Sequence, residues 1–189
     1  VLRRFGIKFT YLTNCRLSDP VFERGLRDFM AVCNVVKTFH NIRILQISTR
    51  PFDFWTTMCN EGELLEKFNI QISPIPMPEL TDEVKAAKEE KTEVETVMQY
   101  CREHMEIFIK EKELENVAAL KVAMKRLAKK YGCGAIAIQC WNQLQKELGV
   151  MPCAANALLN DEGIPVVCET DIHGAITALM VEAAGMGET

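Results

Sequence analysis

"FGIKFTYLTNCRLSDPVFERGLRDFMAVCNVVKTFHNIRILQIS", Phe5 to Ser48, decides the fold class. Its ends, "FGIKFTYL" and "IRILQIS", are apolar runs of strand length, and "DPVFERGLRDFMAVCNVVKTF" between them has the spacing of an amphipathic helix. Pro20 suits the first turn of that helix, with Asp19 as its cap. Downstream, "PFDFWTTMCNEGELLEKF" is helical in character with an interruption near Gly62, and "IQISPIP" is a strand closed by prolines. Strands alternating with helices predict a parallel sheet covered on both faces.

From about residue 79 to 131 the texture changes to Glu, Lys and Ala without interior glycine or proline, ending at Gly132, where a helix C-cap belongs. The pattern predicts two long helices with a break around Lys112 to Asn116. Val117, Leu120, Met124, Leu127 and Tyr131 form a buried stripe, and the charges form a solvated face. Then "GAIAIQ" reads as a strand, "WNQLQKEL" and "CAANALLN" as short helices, "IPVVCE" as a strand and "HGAITALMVEAA" as a last helix, with Ala175, Ile176, Leu179, Met180 and Ala183 facing inward. The expected architecture is a single α/β domain over 1–189: a doubly wound parallel sheet, Rossmann-like, with a long helical excursion.

Composition excludes several classes of function. A net charge of -4 leaves no basic footprint for nucleic acid. The apolar runs are strand-sized, so no membrane partner is expected, and a cytoplasmic location is. Eight cysteines at irregular spacing, with no C-x-x-C pair, predict reduced, mostly buried thiols rather than disulfides or a zinc site. Neither G-x-G-x-x-G after a strand nor a P-loop motif occurs, which removes the main support for dinucleotide or nucleoside triphosphate binding.

In an open parallel sheet ligands bind beyond the carboxyl ends of the strands. Those ends offer Arg50 after "IRILQI", Trp141 and Gln143 after "GAIAI", and Glu169 and Asp171 after "IPVV". In extended chain Glu169 and Asp171 would share one side and could share a hard divalent cation. The plainer alternative makes Asp171 the N-cap of the last helix, a role worth roughly 1 kcal/mol, with Glu169 complementing the helix dipole. Trp141 suits a sugar's apolar face or a core position equally, and Arg50 suits a hydroxyl-rich ligand or a nearby acid. Cys140 and Cys168 stand at strand ends without a histidine partner.

The stretch "CWNQLQKELGVMPCAANALLNDEGIPVVCETDIHGAITALM" resembles the L-fucose isomerase and L-arabinose isomerase family, whose members carry a C-W-P-E-like turn and then C-E-x-D-x-x-G-A-x-T. "IRILQISTRP" looks like the family's R-I-x-x-I-x-x-R-P strand exit. The resemblance implies a middle domain of a larger isomerase, with N-terminal and C-terminal domains outside this chain, and Val1 in place of an initiator methionine agrees with that expectation. It also implies aldose–ketose interconversion of a pentose or deoxyhexose through an enediol, assisted by a divalent metal, usually Mn²⁺. Asp171 and Glu169 match the metal-side acids. Gln143 stands where the family has a second acidic ligand; an amide oxygen can coordinate but cannot accept the migrating proton.

Two functions are therefore expected to compete. One is a metal-dependent isomerase with Glu169 and Asp171 catalytic, Asp171, Glu169 and Gln143 on the metal, and Trp141 and Arg50 on the sugar. In it the isolated chain would be inactive and the full-length parent a homo-oligomer. The other is a non-catalytic carbohydrate-binding or regulatory relative that has lost an acid at Gln143.

Overall fold

Four of the five apolar runs become strands in the computed structural model, which describes residues 1–186. They are β1 (Arg43–Ile47), β2 (Gln71–Ile75), β3 (Ala135–Ile138) and β4 (Val166–Cys168), all parallel, in the order β2-β1-β3-β4. Strand pleat sends Leu45, Ile47, Ile136 and Ile138 to one face and Ile44, Ala135 and Ala137 to the other. Both faces are covered. Helices α3 (Met77–Glu90), α4 (Thr92–His104), α5 (Glu111–Tyr131), α6 (Gln143–Glu147) and α7 (Cys153–Asp161) contribute to the first core. Helices α1 (Pro20–Phe39), α2 (Glu61–Phe68) and α8 (Ile172–Gly185) contribute to the second. The doubly wound α/β expectation holds.

The first apolar run does not join the sheet. Leu2–Phe5 is a short 3-10 turn and residues 6–12 are irregular, with Ile7, Phe9 and Tyr11 exposed. Alternation supplies a strand's apolar face, but a strand also needs a ladder partner, and β1 is already flanked by β2 and β3. Asp19 adopts the extended backbone of a cap, yet its Oδ2 accepts from Arg16 N at 2.7 Å rather than from the helix.

Gly62 lies inside α2; the interruption falls just before, where Asn60 Oδ1 accepts from Glu63 N at 3.2 Å. The helical excursion contains three helices, not two. The first break is at Lys91, at φ 62°, and the second spans 105–110, closed where Lys110 N donates to Glu113 Oε2 at 2.9 Å. Lys112 to Asn116 lies within α5. Polar residues there mark a helix's solvent side, which looks like a break when residues are read in a line.

α5 is buried far beyond its expected stripe. Val117, Leu120, Met124 and Leu127 are buried and Tyr131 half-buried, but Ala118, Ala119, Val122 and Ala123 are buried too, because α3, α4, α7 and the sheet surround this helix. Its charges accordingly tie helices together. Arg126 donates to Glu83, Glu90 and Glu93 at 3.4, 2.6 and 3.2 Å, and Lys121, only 6% exposed, is met by Glu162. The cysteines are all free, as expected, but only Cys101 and Cys140 are buried, while Cys33, Cys153 and Cys168 are exposed.

At the α3–α5 seam, Lys130 and Tyr131 both donate to Glu79 Oε1, at 2.8 and 2.6 Å. Those two donors, Lys130 first, hold the Glu79 carboxyl below its ordinary value. A depressed folded value means that this tie is complete above the unfolded carboxylate range and is lost as pH falls through the folded value. Glu79→Gln should therefore reduce the fall in unfolding temperature from about pH 5 downward. The effect is modest because the pair is partly solvated; parallel acid limbs for the two proteins would contradict it.

Candidate functional site at the strand ends

The chain runs from β1 to β2, then crosses back over β1 to β3 and on to β4. The reversal places the switch point between β1 and β3, where loops leave in opposite directions and open a crevice. Ser48 leaves β1 in the left-handed region, φ 67°, and its Oγ donates to Gln139 Oε1 at 2.7 Å, joining the two strand ends.

An aromatic rim surrounds this junction. Arg50 Nη1 donates to the carbonyls of Pro51, Phe52 and Phe54 at 3.2, 3.3 and 3.1 Å, and the guanidinium lies 5.1 Å from the centre of the Trp55 ring. Arg50 thus holds its own loop in shape. Phe54 meets Trp141 edge to face at 5.7 Å, linking the β1 and β3 exits. Trp141 is 54% exposed and Trp55 61%, so the core alternative for Trp141 fails and an accessible platform remains. Sequence reasoning missed Phe54 and Trp55; the run "FDFW" directly after Arg50-Pro51 was the available signal.

Glu169 and Asp171 do not share one side. Glu169 and Thr170 are consecutive left-handed residues, φ 58° and 52°, a turn that costs of order 1–3 kcal/mol per residue and replaces the extended chain expected there. Thr170, 3% exposed, anchors it through N–H to Ile138 O at 3.2 Å. As a result Glu169 turns toward the β3 exit, where its Oε1 accepts from Cys140 Sγ at 2.9 Å. Asp171 turns the other way and caps α8, its Oδ1 accepting from Gly174 N at 2.9 Å. The capping alternative is realised for Asp171, while its charge also reaches Cys59.

The thiol that faces Glu169 is held neutral. Burial, then the hydrogen bond to Glu169 and the proximity of Cys168, push the Cys140 thiol far up. It stays a neutral donor, not a nucleophile. Glu169 Oε2 is buried with no partner, and so is Oδ1 of Asn156, whose Nδ2 donates to Cys168 Sγ at 3.6 Å. Buried acceptors without donors suit an incoming hydroxyl or cation. Gln143, half-buried at the start of α6, donates from Nε2 to Glu147 Oε1 at 2.9 Å, which brings a carboxylate one helical turn away.

Hard carboxylate oxygens fit a divalent cation in donor type. In number they fall short: among the described residues no group of three or more His, Cys, Asp and Glu side chains is placed to hold a metal ion.

The chain is 25% identical over 189 residues to a sulfoquinovose isomerase of Alkalicoccus urumqiensis, covering 99% of this chain and 42% of that protein. It is 23% identical over 186 residues to a sulfoquinovose isomerase of Priestia megaterium, covering 98% and 41%. A third sulfoquinovose isomerase, from Clostridium sp., is 26% identical over 178 residues, covering 90% and 38%. No protein-family model matches. The chain thus spans about two fifths of the length of these curated relatives, whose name is that of a sugar isomerase but not of the L-fucose or L-arabinose enzyme. Among the described residues no helix is long and apolar enough to cross a membrane.

Proposed function

We propose that this chain supplies the sugar-facing α/β unit of an aldose–ketose isomerase acting on a pentose or deoxyhexose. The observation that carries the reading is Glu169, with one oxygen on a neutral thiol and the other buried without a partner at a strand-end crevice. Relatives named sulfoquinovose isomerase support the reaction class. The resemblance to L-fucose and L-arabinose isomerases supports the same chemistry.

In this reading Trp141 and Trp55 offer aromatic faces to the C–H side of the sugar, and Arg50 keeps that rim in register. Glu169 takes the proton from the carbon next to the aldehyde and returns it to the former aldehyde carbon, while the hydroxyl proton on that neighbouring carbon passes to the former aldehyde oxygen, so the sugar neither gains nor loses protons or electrons. Cys140 holds Glu169 in place throughout. Of the three groups that the resemblance assigns to Mn²⁺, Asp171 caps α8 and turns away from Glu169, so Glu169 and the amide oxygen of Gln143 would supply only part of a divalent cation's shell. When bound, such an ion polarises the substrate oxygens and acidifies the carbon-bound proton.

Trp55 and Trp141 are the two tryptophans of the chain, so its fluorescence reports on the rim alone. Pentoses, deoxyhexoses or sulfoquinovose, tested with and without Mn²⁺, should change the emission saturably, and Trp141→Phe should weaken binding. An emission unmoved by all of them would refute the sugar site. A second reading is favoured by Gln143, the amide at the position of the family's glutamate: binding of sugar without turnover would assign the chain to a non-catalytic relative instead.

A further inference from the structure

α4, α5 and α7 line a cavity of about 230 Å³ on the helical side of the molecule. α7 runs back from the carboxyl ends of the strands, between β3 and β4, so its last residue, Asp161, lies at the end of the sheet away from the crevice. Val97 and Leu158 give the cavity an apolar wall. Tyr100, stacked on His104 with ring centres 4.3 Å apart, lines it too.

The charged groups of the wall do not pair off. Lys121, only 6% exposed, donates to Glu162 Oε1 at 2.5 Å, and Lys125 donates to Oε2 of the same carboxylate at 2.7 Å. Burial pushes the Glu162 carboxyl up, but the two lysines outweigh it and hold the group below its ordinary value. One carboxylate thus serves two ammoniums. An ammonium has three donors, and buried donors are normally satisfied; Lys121 spends one on Glu162, its one side-chain partner among the described residues. Asp161, next to Glu162 in the chain, lines the same cavity, and its carboxylate has no hydrogen bond or ion pair among the described residues.

The cavity therefore combines spare donors on a buried cation, a spare anionic acceptor close by and an apolar wall. At about 230 Å³ it is smaller than the roughly 300–1,000 Å³ of pockets for drug-sized ligands, and its ligand is correspondingly small. A molecule with a carboxylate, an ammonium on the neighbouring carbon and a short aliphatic branch meets all three features.

We propose that this cavity binds a small aliphatic α-amino acid, its carboxylate on Lys121, its ammonium on Asp161 and its side chain against Val97 and Leu158. Calorimetric titration of the full-length parent with L-valine tests this. Saturable heat at one L-valine per protomer is expected. Isovalerate, which lacks the ammonium, and isobutylamine, which lacks the carboxylate, should each bind about tenfold or more weaker. Asp161→Asn, at an exposed position, and Lys121→Met should each weaken L-valine binding by about tenfold or more, with helical circular dichroism unchanged. If Lys121→Met misfolds, Asp161→Asn alone decides. Trp141→Phe should leave L-valine binding as it is, which separates this site from the sugar crevice. No heat up to about 50 mM L-valine, the result if the cavity takes solvent only, overturns the proposal. So does isovalerate or isobutylamine binding as tightly as L-valine, L-valine binding that survives Asp161→Asn, or L-valine binding lost in Trp141→Phe.

Discussion

Under the proposed function, Glu169→Gln in the full-length parent is expected to lower aldose–ketose turnover by about 10²- to 10⁴-fold, the usual contribution of a positioned acid–base group. The amide is nearly the same shape and can still accept from Cys140, but it cannot take the proton. Sugar binding at the Trp55–Trp141 rim should persist, so kcat falls much more than the dissociation constant read from fluorescence rises. Stability should not fall with activity. The wild-type carboxylate keeps an unpartnered buried oxygen in a left-handed turn, an arrangement unfavourable to folding, and unfolding midpoints of the two proteins should lie close together. Turnover within about twofold of wild type would remove Glu169 from the proton path.

Leu120→Ala should have the largest effect on the fold, about 2–5 kcal/mol of lost stability. Leu120 is 0% exposed in the middle of α5, the helix against which α3, α4, α7 and the sheet all pack. Neighbours anchored to a sheet on one side and to a helical bundle on the other have little freedom to collapse into the space left behind. For a chain of this size the loss corresponds to a drop of roughly 5 to 15 °C in unfolding temperature. Phe108→Ala, at an exposed site, should shift it by little. Equal effects at the two positions would mean that α5 is not the central element.

Periodicity made most elements legible. α1, the three later strands and β1 were readable because a sheet buried on both faces demands apolar runs of a recognisable length, and Gly132 ended α5 in the left-handed region, φ 63°. The first run, Phe5 to Leu12, satisfied the same local rule and stayed unpaired, because pairing is a property of two segments. The excursion divided at Lys91 and 105–110 for a related reason: its breaks follow from how α3 and α4 fold back on α5, and Arg126 reaching three glutamates records that packing.

At the site, residue types were legible and their directions were not. That two acids, an indole and a guanidinium stand at the carboxyl ends of parallel strands follows from residue order and strand pattern, since topology sends those loops to one rim. That Glu169 faces the β3 exit while Asp171 caps α8 emerges in the folded chain, because two successive left-handed residues reverse the backbone where spacing alone implied extension. The fold likewise turned Arg50 from a ligand candidate into the clasp of its own loop, and revealed Trp55 beside it. Spacing along a strand constrains side-chain direction only while the backbone stays extended; at a strand end, the hydrogen bonds from Thr170 N to Ile138 O and from Gly174 N to Asp171 Oδ1 choose the direction instead.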